Sequence, residues 1–170
     1  MAVYLRVRLI RLAVRQSAFM RVVALVLAAV GEASSELSVD LIGDGRMRRL
    51  NREYRKKDRT TDVLAFSMRE ALAPGVSRVT SGILGDVVIS VPTARRQAKE
   101  GGRSLDEELA WLLVHGVLHL CGYDHERSER EARRMQRREQ QILRLLRPVP
   151  RLVGPAPDTT RIRRLERKTG

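Results

Sequence analysis

Residues 104–125 read SLDEELAWLLVHGVLHLCGYDH, and this stretch contains all three histidines of the chain. His115 and His119 are four residues apart, so a helix would place both imidazoles on one side, about 6 Å from each other. Gly122 can take the left-handed conformation that ends a helix, which would return His125 toward the other two. Three such side chains can share one ion whose bonds to nitrogen are about 2.0 to 2.1 Å. The spacing H-x-x-x-H-x-x-G-x-x-H therefore predicts a metal site on a helix and the turn after it.

Three protein ligands would leave one position of a tetrahedral zinc ion open, as in catalytic zinc sites, whereas structural sites usually have four. The pattern departs from the zinc-protease motif H-E-x-x-H, because Gly116 stands where that motif has its general base. A peptidase of the usual kind is therefore disfavoured. A base would have to come from elsewhere, and Asp124 and Glu108 are the nearest candidates in sequence.

The helix that carries the first two histidines has a clear start and a clear buried flank. Ser104 and Glu107 form the capping-box pattern S-x-x-E. Apolar residues and a glycine recur at helical spacing and should bury one side of the helix: Leu109, Leu112, Leu113, Gly116 and Leu120.

Outward from this helix, the chain mixes strands and helices without strict alternation. Strands are predicted at residues 3–10, 36–42, 63–68 and 84–91, and helices at 17–30, 46–54, 92–100 and 126–147, with Asp44 capping the second helix. Residues 74–82, rich in Pro, Gly and Ser, predict an exposed loop. The fold class is α+β, with a small mixed β-sheet of about four strands, about five helices and the metal site at a cleft.

Length and composition predict a single domain at residues 1–147, followed by a basic, Pro- and Gly-containing mobile tail at 148–170. The one cysteine, Cys121, cannot form an internal disulfide, so nothing indicates an oxidising compartment. The segment 15–33 resembles a signal peptide, but its nine apolar residues, 22–30, are too few to span a bilayer. We expect a buried or amphipathic first helix, no membrane association and a cytoplasmic protein.

The positive charge of the chain predicts a polyanionic partner. Thirty-three Lys and Arg against twenty Asp and Glu give a net charge of +13. The densest basic run, 46–59, contains eight basic and two acidic residues. Such runs are often only a solvated helix face, but beside a metal site an electropositive rim would attract a nucleic-acid backbone. Tyr54 and Tyr123 are the aromatic residues best placed to stack bases.

Three segments resemble one known family in the same order: LNREYRKKD at 50–58 with TDVL at 61–64, LGDVVI at 84–89, and the histidine motif at 115–125. They resemble the YbeY family of bacterial ribosomal RNA maturation factors, which are single-strand-specific metallo-endoribonucleases. The resemblance implies one zinc ion per chain, bound by His115, His119 and His125. It also implies that Arg55 is the functionally important arginine at the cleft, so that Arg55 and His115 are the candidate catalytic residues.

The resemblance further implies phosphodiester cleavage, by hydrolysis or transesterification, in maturation of the 3′ end of 16S rRNA and in late ribosome quality control. The implied partners are ribosomal RNA, the small ribosomal subunit with its proteins, and an assembly GTPase. Candidate RNA contacts in the basic run are Arg49, Arg52, Arg55, Lys56 and Lys57. Asp124 is either a hydrogen-bonding partner of an imidazole or a turn-forming residue.

Two points stay open at this level. A non-catalytic ribosome-assembly or RNA-binding factor with a structural metal is the alternative to the nuclease. The sequence also departs from the usual family pattern at three positions, Thr60, Ala65 and Ser67, where the family commonly has Pro, Ser and Pro. The loop and strand that enter the sheet there can therefore differ from the family.

Overall fold

The structure is a computed structural model that describes residues 2–69 and 82–155. Within these ranges the chain forms six strands and five helices. In chain order they are β1 (Val3–Val7), β2 (Leu12–Val14), α1 (Gln16–Ala29), β3 (Glu36–Ile42), α2 (Asp44–Arg55), β4 (Val63–Ser67), β5 (Ile83–Ser90), α3 (Val91–Glu100), α4 (Leu105–Leu120), α5 (Glu129–Leu145) and β6 (Val153–Pro155).

The main sheet has four strands in the order β1-β3-β5-β4. The first three are parallel, and β4 pairs antiparallel with β5. Parallel neighbours need a crossover connection, and α1 lies in the connection between β1 and β3, as α2 does between β3 and β5. The predicted α+β class with a small mixed sheet and five helices is confirmed. The predicted loop 74–82 lies outside the described residues except for Gly82.

Helix α4 is the centre of the core. It contacts α1, α3 and α5 as well as strands β4 and β5. The predicted flank is buried at all five of its positions: Leu109, Leu112, Leu113, Gly116 and Leu120. Burial on this scale makes α4 a rigid support for any side chain that it presents at a cleft.

Helix α1 accounts for the apolar segment near the N-terminus. Its apolar residues Phe19, Val23 and Leu27 are at most 1% exposed in the core. The predicted buried first helix is therefore confirmed. In the ranges 2–69 and 82–155, no helix has the length and apolarity needed to cross a bilayer.

The N-terminal caps of the helices agree only in part with those predicted from the sequence. The capping box of Ser104 and Glu107 is confirmed in both of its hydrogen bonds. The cap assigned to Asp44 is wrong, because Gly43 is the N-cap of α2 and provides no side-chain bond. The Asp44 carboxylate instead accepts hydrogen bonds from α3 and the end of β5.

Helix α5 begins later than predicted because Ser128 caps it by accepting a hydrogen bond from the backbone N–H of Glu131.

The C-terminal segment corrects the predicted tail. β6 pairs antiparallel with β2, a short strand that was not predicted from the sequence, and the strand predicted at residues 3–10 ends earlier, at Val7. Leu152 and Val153 are buried, and their backbone N–H groups donate to the Asp106 carboxylate. The prediction of a mobile tail is therefore wrong for residues 148–155. Residues 156–170 lie outside the described ranges.

Candidate metal centre

The three histidines meet at one point. His115 and His119 project from the last two turns of α4, and His125 follows the turn at Gly122, whose φ is 90°. One ring nitrogen from each lies within 4.8 Å of the others. The Nε2 atoms of His115 and His119 are 3.0 Å apart. The structure therefore brings together all three predicted ligands, and Gly122 supplies the left-handed turn that returns the chain.

The donor set fits a transition metal. In a tetrahedral zinc site with bonds of about 2.0 to 2.1 Å, two ligand nitrogens lie roughly 3.4 Å apart, close to the separation of the two Nε2 atoms. Imidazole nitrogens suit zinc and similar ions rather than magnesium or calcium. Among the described residues, no further His, Cys, Asp or Glu belongs to the cluster. An ion held by these three nitrogens would keep one tetrahedral position free of protein ligands.

Burial and charge keep His119 neutral. Burial of the ring, together with the neighbouring His115 and His125, lowers the pKa of His119 from 6.5 to about 4. A neutral imidazole has a lone pair on one ring nitrogen, which is the form that binds a metal. His119 is therefore in the form that can bind a metal ion at neutral pH.

A buried carboxylate on α5, that of Glu139, contacts one of the three histidines, His115. Glu139 is 8% exposed, and its Oε1 lies 2.6 Å from His115 Nδ1. Sequence reasoning missed this residue. A signal was present, because Glu139 falls in the apolar stripe of α5 with Met135, Ile142 and Leu146, where an acidic residue needs a buried partner.

Asp124 has the position of a turn-forming residue. Its Oδ1 accepts a hydrogen bond from the backbone N–H of Glu126, and its Oδ2 lies 3.2 Å from Arg127 Nε. The backbone bond from Glu126 is the main cause of a lowered pKa for Asp124. Asp124 does line the cleft described below, so its predicted role beside an imidazole stays a prediction.

Glu108 is not placed to act as a base. Its side chain is 1% exposed, and one carboxylate oxygen accepts hydrogen bonds from two nitrogens of Arg103. It is absent from the lining of the cleft that contains the histidines. The carboxylate belongs to the start of α4 and stabilises that end of the helix.

Packing explains the glycine at position 116. A Cβ atom there would lie 2.7 Å from Val87 Cγ1 and 3.1 Å from Val87 Cγ2, both on the branched side chain of a core strand. Helix α4 thus approaches β5 too closely for any side chain at this point. A protease-type glutamate has no room at position 116, which removes the usual peptidase base for a physical reason.

The histidines lie in a cleft of about 550 Å³ that is lined by the end of α2, strand β4, helix α4 and the turn after it. Four basic side chains are among the lining residues: Arg55 at the end of α2, Lys57 and Arg59 in the segment after it, and Arg127 in the segment before α5. The arrangement places positive charge in the same cleft as the three histidines. An anionic chain would be attracted into such a cleft.

The predicted RNA contacts separate into two groups. Arg55 and Lys57 line the cleft, whereas Arg49, Arg52 and Lys56 do not. Arg52 lies 3.8 Å from Asp58, and Lys56 Nζ donates to the backbone oxygen of Glu53. Sequence reasoning did not select the further cleft residues Asn51, Arg59, Trp111 and Arg127.

The basic segment is folded back onto α2 by specific contacts. Lys56 ends the helix with a left-handed φ of 57°. Asn51, which is buried, donates to the backbone oxygen of Arg59 at 2.8 Å. Arg48 donates two hydrogen bonds to the Asp58 carboxylate. These contacts hold the chain so that Arg55 and Arg59 both reach the cleft.

Two aromatic residues line the cleft. Trp111 lies one turn before His115 on α4, and the centroids of their rings are 5.3 Å apart. The guanidinium carbon of Arg134 lies over the ring of Tyr123, 4.9 Å from the ring centroid. Tyr54, the other aromatic selected from sequence, packs against Phe66 at 5.0 Å and is not part of the lining.

The sequence profile of the family Endoribonuclease YbeY matches residues 10–147 of this chain. The chain belongs to the endoribonuclease YbeY family. A Geobacter metallireducens protein named Endoribonuclease YbeY is 50% identical over 122 residues, which cover 71% of this chain and 79% of that protein. An Aquifex aeolicus protein of the same name is 45% identical over 137 residues, covering 81% of this chain and 87% of that protein.

A solved structure supports the fold alone. The solution structure of a Thermotoga maritima protein has a TM-score of 0.56 and 21% sequence identity, covering 83% of this chain and 86% of that chain. The positions where this sequence departs from the usual YbeY pattern do not disrupt the sheet. Ala65 and Ser67 both pair in register with β5, and Thr60 donates from its hydroxyl to Asp44 at 3.4 Å.

Proposed function

We propose that this protein is a single-strand-specific metallo-endoribonuclease. Its proposed task is cleavage of precursor ribosomal RNA at the 3′ end of 16S rRNA, with a further role in late ribosome quality control in the cytoplasm. One observation carries the proposal: three imidazoles converge in a basic cleft, with no fourth metal-binding side chain beside them in the described residues. The names of the family and of its relatives support it.

The proposed cofactor is one zinc ion per chain, held by His115, His119 and His125. When bound, zinc supplies Lewis acidity and makes water a better nucleophile near neutral pH. The side chains of α4 contribute rigidity, because the helix is buried along most of its length. The Nδ1 of His115 is occupied by Glu139, which directs Nε2 into the cluster.

Arg55 is the proposed catalytic arginine. It lies at the end of α2 and lines the same cleft as the histidines. A guanidinium grips phosphate oxygens through parallel N–H groups and would offset the charge that develops on them during cleavage. A preorganised donor of this kind contributes roughly 3 to 4 kcal/mol to transition-state stabilisation.

The aromatic lining supports the preference for single strands. Trp111 and Tyr123 present ring surface in the cleft. A base can stack on such a ring only when it is not stacked within a duplex, and each such contact contributes about 1 to 3 kcal/mol. Lys57 and Arg59 would bind the backbone of the same strand without regard to its sequence.

The proposed partners follow from the proposed substrate. Because the proposed substrate is ribosomal RNA, the proposed partners include the small ribosomal subunit and its proteins. We add an assembly GTPase because the family resemblance implies one. The protein's net charge of +13 suits a partner that is mostly RNA.

The test combines metal content with RNA cleavage. Wild type, His115→Ala, Arg55→Ala and the control Arg21→Ala, an exposed arginine on α1, are purified and assayed by mass spectrometry for zinc and by gel for cleavage of single-stranded and duplex RNA. We expect zinc near one per chain in all but His115→Ala. Cleavage should fall about 100-fold or more in His115→Ala and Arg55→Ala, and only single-stranded RNA should be cut.

Full zinc occupancy together with full cleavage in His115→Ala would contradict the proposal. A wild type that binds zinc, is destabilised by its removal and cleaves no RNA would favour the non-catalytic assembly factor instead. Equal loss of activity in Arg21→Ala would indicate a general effect of charge rather than a role for Arg55.

A further inference from the structure

Helix α5 buries a charge that the proposed chemistry does not use directly. Most of this helix is charged and exposed, and its buried residues are Met135, Glu139 and Ile142. An acidic side chain is costly to bury unless a hydrogen-bond donor or a positive charge meets it. Within the described residues, no Lys or Arg forms an ion pair with Glu139, and its partner is His115.

The contact determines which nitrogen of His115 is free. The distance from Glu139 Oε1 to His115 Nδ1 is 2.6 Å. A carboxylate only accepts, so Nδ1 carries the proton and donates it. The other nitrogen, Nε2, then has its lone pair exposed, and it lies 3.0 Å from His119 Nε2 inside the cluster.

The contact also fixes the direction of the ring. Trp111 lies beside His115 on the same helix, and Glu139 approaches from a different helix, so the imidazole is held from two sides. Asp124, which adjoins His125 in sequence, has other partners: its Oδ1 accepts a hydrogen bond from the backbone N–H of Glu126, and its Oδ2 lies 3.2 Å from Arg127 Nε. Glu139 is therefore the acidic residue that the fold directs at a ligand.

We propose that Glu139 is a positioning residue: its carboxylate holds His115 in the Nδ1-protonated tautomer with Nε2 aimed at the metal, and so sets the affinity of the site for zinc. Carboxylate partners of metal-binding histidines have this effect in general, and their loss typically weakens metal binding 10- to 100-fold. The inference rests on the metal centre of the proposed function but not on RNA cleavage.

Two variants and one matched control test the proposal. Glu139→Gln keeps the shape but weakens the acceptor, and Glu139→Ala removes it. Glu129→Gln changes an acidic residue of the same helix whose side chain is 89% exposed. Zinc affinity is measured by competition with a chelator, and nitrogen-15 spectra of the zinc-free protein report which nitrogen of His115 is protonated.

We expect Glu139→Gln to bind zinc about 10-fold more weakly than wild type, Glu139→Ala up to about 100-fold more weakly, and Glu129→Gln with wild-type affinity. The wild-type spectrum should show a protonated Nδ1, and Glu139→Gln should show a mixture of tautomers. The melting temperature of the zinc-free proteins distinguishes a positioning role from a structural one. If the role of Glu139 were purely structural, Glu139→Gln would lower that temperature and leave the tautomer of His115 unchanged.

Wild-type zinc affinity in Glu139→Gln, or a wild-type His115 that is protonated on Nε2, would overturn the inference. If Glu139→Ala does not fold, Glu139→Gln alone decides the outcome. A wild type that binds zinc through His115 but cleaves no RNA would overturn the proposed function and leave this inference intact, so the two failures are distinguishable.

Discussion

Position 116 is a glycine because helix α4 and strand β5 pack closely against each other there. The nearest atoms to an added Cβ are the two methyl groups of Val87, on a strand in the middle of the sheet. A valine side chain has one rotatable bond and cannot move aside. The close approach of α4 to β5 therefore depends on this glycine.

Gly116→Ala should destabilise the protein, although alanine favours helices over glycine. Overpacking of this kind costs about 1 to 3 kcal/mol of the unfolding free energy. The control is Gly45→Ala on α2, where an added Cβ meets no atom within 4 Å. Urea denaturation measures both variants, and we expect the control to be unchanged or more stable by up to about 1 kcal/mol. Equal stability of Gly116→Ala and wild type would show that α4 has room to move.

At the scale of elements, the chain after α5 holds the start of α4 in place. The Asp106 carboxylate, in the first turn of α4, accepts hydrogen bonds from the backbone N–H groups of Leu152 and Val153. β6 then pairs with β2, which lies just before α1. The segments before α1 and after α5 are thus joined beside the helix that carries His115 and His119.

Leu152→Ala should lower the unfolding free energy by about 2 to 5 kcal/mol, because the side chain is 1% exposed and its loss leaves a cavity. Leu145→Ala is the matched control, since that leucine is 67% exposed at the end of α5. Thermal and urea unfolding of both variants measure the difference. If Leu152→Ala were no less stable than Leu145→Ala, the segment after α5 would be held only weakly in solution.

At the scale of the whole molecule, one carboxylate joins α2 and α3 to the C-terminal end of β5. Asp44, in the first turn of α2, accepts hydrogen bonds from Ser90 at 2.6 Å, from Thr93 at 2.7 Å and from Arg96 at 2.8 Å. Burial alone would raise the pKa of Asp44, but the hydrogen bonds from Arg96, Ser90 and Thr93 outweigh burial and lower it to about 2 from 3.8.

A folded-state pKa below the unfolded value means that the charged form of Asp44 stabilises the fold. This contribution is complete above pH 3.8 and is lost as the pH falls toward 2. Solvent screens part of the interaction, because the Asp44 side chain is 33% exposed. We expect it to amount to the order of 1 kcal/mol.

The measurement is urea unfolding of wild type and Asp44→Asn at pH 4 and at pH 2. Wild type should be the more stable at pH 4, and the difference between the two proteins should shrink at pH 2. Glu129→Gln, at an exposed position, controls for removal of a negative charge alone. A difference that stays constant between the two pH values would show that charge on Asp44 does not matter.

Much of the fold and of the candidate metal centre follows from short-range features of the sequence. The capping box at Ser104, the strand at residues 36–42 and the spacing of the three histidines are properties of neighbouring residues, so helical and extended geometry determine them directly. The turn at Gly122 belongs to the same class, since only its own backbone conformation is needed to return His125. These features were predicted and confirmed.

The remaining features depend on contacts between residues far apart in the chain. Glu139 meets His115 from 24 positions away, and Leu152 meets Asp106 from 46 positions away. Asp44 had the right residue type for a cap, yet its partners lie on β5 and α3, which the local sequence does not reveal. The position of a strand or helix relative to a distant one results from the packing of the whole core. For that reason the sequence alone predicted that the three histidines converge, and only the tertiary structure decided which carboxylate contacts His115 and which basic residues face the cleft.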